Sequence, residues 1–211
     1  GLILWFCRNY YVRLYKGESF MGRYDDHNTK AVDPQTLMAN TIGFDRYRVQ
    51  DIGTVTSKRK VVREFDKIIA KVSAITSNLD YFTTHPSLTP QLREGLKLLR
   101  DMHGKEGNKK NYVEIQQGTG FHGVNYPFGV TNKPSTTPVG KDATLRATKR
   151  VVFLTMRKSA NVMQSDTFIR KLVIHELAHT IANHVQYRPD DHGKDFKDAE
   201  LILTEMWNSV L

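Results

Sequence analysis

The chain has 211 residues, 39% of them hydrophobic, enough for one good core but not for several independent domains. Its 31 Lys and Arg against 22 Asp and Glu leave a formal charge of +9, unevenly spread: residues 1–164 carry 26 basic against 14 acidic side chains, residues 165–211 carry 5 against 8. Cys7 is the single cysteine, which excludes an internal disulfide and a cysteine-based zinc site and favours a reducing, intracellular setting, and no run reaches the roughly 18 apolar residues of a membrane span.

The opening "GLILWFC", followed by Arg8, Arg13 and Lys16, reads either as an apolar strand or arm packed on the domain or as the end of a membrane anchor with a basic flank, the anchor itself lying upstream of Gly1. Residues 17–57 are rich in Gly, Asp, Asn and Thr without sustained periodicity, as irregular loops with short strands would be. The composition therefore divides the chain into an N-terminal arm, 1–57, and a domain, 58–211. From Val61 onward Phe65, Ile68, Ile69, Val72, Ile75 and Leu79 recur at three or four residues, the buried stripe of a helix. Pro86 and Pro90 punctuate, and Leu92, Leu96, Leu99 and Met102 mark a second helix ending near Gly104.

"YVEIQQ" at 112–117 alternates apolar and polar side chains, and "RVVFLTMR" at 150–157 is rich in β-branched and aromatic residues, so both are expected as strands. The Gly-, Pro- and Thr-rich stretch between them has room for a short strand and a mobile loop. Ser165 or Asp166 is placed to cap a helix whose apolar positions, Phe168, Leu172, Ile174, Leu177, Ala178 and Ile181, run toward Val185, with Pro189 as its stop. A last helix starts at Lys194 or Asp195 and carries Phe196, Ala199, Ile202, Leu203 and Met206. Helices, then strands, then two helices make an α+β domain.

Within the penultimate helix, "HELAH" at 175–179 is the H-E-x-x-H pattern. Two histidines four residues apart are about 400° round a helix, so His175 and His179 project from one face and can converge on one ion. Glu176 sits at the edge of that face, within reach of a water on the ion. A catalytic zinc takes three protein ligands and keeps one position open. His184, nine residues from His175, falls about 900° round a continuous helix and so on its opposite side. Glu200 offers a carboxylate from the last helix if it is not simply an exposed acid. His192 follows Pro189, where the chain can turn back and present it from a loop, and is the best placed of the three.

"HELAHT" with "DHGKDF" resembles the H-E-x-x-H…H-G-x-x-F arrangement of the SprT-like and WLM metalloprotease families, which include Spartan-type proteases that degrade proteins crosslinked to DNA. The stretch 151–179 also resembles the WLM order of strand, short loop and active-site helix, and the likeness covers roughly residues 110–211. It implies a zincin-like domain in which His192 is the third zinc ligand and Phe196 packs under it, with a protein or peptide as substrate. The implied reaction is peptide hydrolysis in which zinc acidifies water and Glu176 is the general base. Asp190 and Asp191 are candidates to orient a ligand histidine, and Tyr187 and His122 to stabilise an oxyanion. The strand at 151–156 is either an edge on which an extended peptide lies or a buried core strand.

Three basic clusters, "SKRKVVR" at 57–63, "NKK" at 108–110 and "RATKR" at 146–150, are candidates for DNA phosphates or plain solvated faces. A nuclear or a virion-associated setting would suit such contacts. The competing class is a non-enzymatic scaffold, membrane-anchored or part of a virion, that keeps a zincin fold. Glu176 favours the enzyme, because a structural zinc has no use for a general base.

Overall fold

The computed structural model of the chain describes residues 34–77, 85–103, 111–116, 122–128, 131–132, 145–146, 149–183 and 192–210. Strands β1 (Thr41–Gly43), β2 (Tyr47–Gln50), β3 (Tyr112–Glu114), β4 (Gly123–Phe128) and β7 (Lys149–Leu154) form one sheet in the order β1-β2-β3-β7-β4. The two inner pairs, β2 with β3 and β3 with β7, are parallel; β1 with β2 and β4 with β7 are antiparallel. Two short ribbons complete the strands: β5 (Thr131–Asn132) with β6 (Leu145–Arg146), and β8 (Arg157–Ser159) with β9 (Val162–Met163).

Alternation along the strands divides two apolar clusters between the sheet faces. Tyr47, Val49, Tyr112, Val152 and Leu154 join the main core with four helices, α2 (Val55–Ser77), α3 (Pro90–His103), α4 (Asp166–Ala182) and α5 (Lys194–Ser209). Val113, Val124, Tyr126, Val151 and Phe153 face the other way, where Leu37 of the one-turn helix α1 (Pro34–Met38) covers them. The protein is therefore α+β with its long helices gathered on one face of a small mixed sheet.

The helical stripe expected from Val61 is buried as far as Ile75, and Leu79 lies outside the described residues. The helix starts six residues earlier, because the Thr54 hydroxyl accepts the Ser57 amide at 3.1 Å and caps it. The division at 57/58 consequently falls inside α2. Tyr47 and Val49, from the segment expected as an arm, share the core of the helices that follow. Of the two readings of 151–156, the structure has the buried core strand: β7 runs between β3 and β4, and the edges of the sheet among the described residues are β1 and β4, the latter from the stretch with room for a short strand. Arg150 is not a surface cation; it is 1% exposed.

Arg157 fastens the sheet to the start of α2. Its guanidinium donates to both Glu114 carboxylate oxygens, at 2.6 and 2.8 Å, and also to Gln50 O, Ile52 O, Ser57 Oγ and Ala160 O. Both side chains of the pair are buried, so every lone pair and proton in it needs such a partner.

His103, at the end of α3, is also buried. Its Nδ1 lies 2.7 Å from Leu99 O, which can only accept, so Nδ1 carries the proton and Nε2 accepts from the Tyr112 hydroxyl at 2.7 Å. Burial pushes the imidazole pKa down to about 4 and the Tyr112 phenol well above its usual range. Above pH 6.5 neither state protonates, whereas between pH 6.5 and 4 the unfolded chain takes up a proton that the folded His103 refuses. Stability should fall by about 3 kcal/mol over that window on acidification. Urea unfolding from pH 7 to pH 4 should show this slope in the wild type and a shallower one, from a lower baseline, in His103→Phe.

Candidate metal centre

α4 carries the H-E-x-x-H residues and is held at both ends by its own sequence. The Ser165 hydroxyl accepts the Phe168 amide at 3.2 Å, so Ser165 is the N-cap, and Asp166 in the first turn complements the helix dipole. At the other end Asn183 turns into the left-handed region (φ 48°) and its amide bonds His179 O at 2.9 Å. The helix thus ends at Ala182 and does not run on to Val185, which lies outside the described residues. Every residue from Leu172 to Asn183 is buried, so beyond its exposed first turns α4 is enclosed on all sides rather than amphipathic.

His175, His179 and His192 each offer a ring nitrogen to a common point, these atoms all lying within 4.8 Å of one another. Two of the rings are buried and His192 is half-buried. His175 Nε2 and His192 Nε2 are 3.3 Å apart. Nitrogens bound at about 2.0–2.1 Å to a tetrahedral ion are separated by about 3.3–3.4 Å, so this pair is spaced as one edge of such a tetrahedron. The cluster could hold a metal ion. Phe196, in the first turn of α5, lies against all three imidazoles with ring centroids 5.0, 4.4 and 4.6 Å from those of His175, His179 and His192. It closes the apolar side of the site, and the chain returns after α4 to set His192 four residues before it.

Glu176 is completely buried. Its carboxylate lies against Gly123, the first residue of β4, so closely that any Cβ there would collide with Oε1. The position suits glycine by space rather than by backbone conformation, since a Cβ would force the Glu176 and Leu172 side chains to shift. Two residues on, the Asn125 amide donates to Glu176 O and to the Thr180 hydroxyl, the latter at 2.8 Å. The Asn125 carbonyl oxygen accepts from Arg150 Nη1 at 2.8 Å, and Arg150 Nε reaches Asn183 Oδ1 at 2.9 Å. One buried polar chain therefore runs from β7 through β4 to the middle and end of α4. Gly95 allows a second close approach, because a Cβ there would strike Ile181 O, and this brings α3 onto α4.

Glu200 stands one turn beyond Phe196 on α5. Its Oε1 is 3.4 Å from His175 Nδ1, on the ring's outer side from the Nε2 that faces His192. The His175 hydrogen bond, and then the charge of the three histidines, hold the Glu200 carboxyl below the usual carboxylate range against its partial burial. Glu200 is thus neither a member of the three-nitrogen cluster nor a plain exposed acid. His122 packs edge-on against Phe168 at 5.4 Å, in the first turn of α4. His184, Tyr187, Asp190 and Asp191 lie outside the described residues.

The sequence reading missed Gly123, Asn125 and Arg150. A glycine in a Gly-rich stretch and an arginine in a basic one carry no distinguishing pattern. Comparison with protein-family models, with curated proteins and with solved structures gives no match, so the site is read from its own geometry.

Equilibrium dialysis should find one divalent transition-metal ion bound per chain. His192→Ala should weaken that binding by more than the roughly 10- to 100-fold typical of losing an outer-sphere partner, because it removes a ligand itself. Unchanged affinity in His192→Ala would remove His192 from the centre.

Proposed function

We propose that this protein is a zinc-dependent metallopeptidase with a zincin-like catalytic domain of SprT or WLM type, and that His175, His179 and His192 hold the zinc. The observation that carries the reading is a buried carboxylate, Glu176, next in sequence to one of three converging imidazoles. A site that only stabilised the fold would gain nothing from burying a carboxylate there, and burial of such a group is costly. The three imidazoles are neutral donors of borderline softness that suit zinc, and they leave a fourth position for water or substrate. Zinc, when bound, supplies a Lewis acid that brings the pKa of water toward neutrality and polarises a carbonyl.

The chain's own residues perform the remaining work. Glu176 takes the proton of the attacking water and then passes it to the departing amine. Asn125 and Thr180 hold the turn of α4 that carries Glu176, and Gly123 leaves the space its carboxylate occupies. β4 is one of the two edge strands of the sheet among the described residues, and it begins at that carboxylate. An extended substrate peptide added along this edge, at 123–128 rather than 151–156, would pass the general base.

Glu176→Gln keeps size and hydrogen-bonding reach but removes the proton acceptor. Hydrolysis of an unfolded protein such as casein should fall by about 10²- to 10⁴-fold with zinc stoichiometry unchanged, whereas His175→Ala should lose both. A wild-type protein that holds zinc yet cleaves neither unfolded, DNA-bound nor self substrates would make the site a scaffold.

The substrates we propose are DNA-associated proteins. Arg59, Lys60 and Arg63 are exposed at three- and four-residue spacing on α2, so they share a face, while Lys58 beside them is paired with Asp51 at 2.7 Å. Neutralising Arg59, Lys60 and Arg63 together should lower the slope of log binding constant against log salt by about 3 for duplex DNA. Absence of DNA binding even at low salt would withdraw this part of the reading.

A further inference from the structure

An imidazole that binds a metal through one nitrogen must carry its proton on the other, and neutral histidine in water does not settle which. In His175 the choice is made by its surroundings. Nε2 faces His192 Nε2 at 3.3 Å, inside the cluster, and Nδ1 faces Glu200 Oε1 at 3.4 Å, outside it. A carboxylate can only accept, so the proton it attracts sits on Nδ1 and the Nε2 lone pair is left pointing inward. The geometry of α5 makes this reliable. Phe196 and Glu200 are four residues apart and lie on one face of the helix, so the ring that packs under the imidazoles also fixes where the carboxylate stands.

We propose that Glu200 is a positioning residue for the metal centre: it holds His175 as the Nδ1–H tautomer and aims Nε2 at the ion. The inference rests on the three-histidine reading above and gives a role there to a residue that is not itself a ligand. Its first test needs no metal. In metal-free protein labelled with ¹⁵N-histidine, at about pH 8.5, above the ordinary histidine range, the His175 ring shifts should show a protonated Nδ1. Glu200→Ala should return the ring toward the mixed tautomers of free histidine. The second test is zinc affinity by competition with a chromophoric chelator, where Glu200→Ala should lose about 10- to 100-fold. Glu200→Gln, whose amide oxygen still accepts, should keep the tautomer and lose less, and it serves if the alanine variant does not fold. A wild-type His175 protonated on Nε2, or zinc affinity unchanged in both variants, overturns the proposal. A wild-type protein that ignores zinc but shows the Nδ1 tautomer, lost in Glu200→Ala, would overturn the metallopeptidase reading and leave Glu200 as the residue that orients His175.

Discussion

A helix enclosed on every side cannot leave its polar side chains to water, and α4 is enclosed from Leu172 to Asn183. That constraint organises the molecule. Thr180 is taken by Asn125 of β4, Asn183 by Arg150 of β7, and His175 by Glu200 and His192. Each partner comes from a different element, so satisfying the helix fixes the sheet edge, the neighbouring central strand and the last helix in relation to it. Burial without these partners would cost several kcal/mol per group.

The same enclosure takes in Glu176, whose carboxylate is completely buried against Gly123 of β4. The three imidazoles beside it rest on one apolar ring, Phe196, which excludes water from their far side. The histidine cluster and the buried carboxylate are thereby positioned by one crossing of α4 and α5 and one strand laid against α4.

The net positive charge divides into two populations that composition alone cannot separate. Arg150 and Arg157 are interior residues: one bonds Asn125 and Asn183 behind α4, the other grips Glu114 and four further acceptors where the sheet meets α2. The planar guanidinium suits such work because its several donors reach acceptors on different elements at once. Arg59, Lys60 and Arg63 remain in solvent, and any phosphate contact belongs to residues of that kind. Each buried arginine lowers the charge that the surface can offer a polyanion.

The sequence by itself determined the features that depend on local periodicity and spacing. The stripes of α2, α3 and α5, the cap at Ser165, the placement of His175 and His179 on one helical face and the return of His192 ahead of Phe196 all follow from 3.6 residues per turn and from where Pro and Gly interrupt it. Glu200 was half legible: the sequence offered it as a carboxylate from the last helix, but not at the outer nitrogen of His175. The order of strands, and with it the identity of the edge, was decided only by the tertiary structure. Strand order is a choice among long-range pairings, and nothing in "RVVFLTMR" or "GVNYPF" says which of them has a neighbour on both sides. Gly123, Asn125 and Arg150 belong to the same class. Their roles exist only where a strand edge, a neighbouring strand and a buried helix meet, and each does its work through contact with residues 25 to 55 positions away.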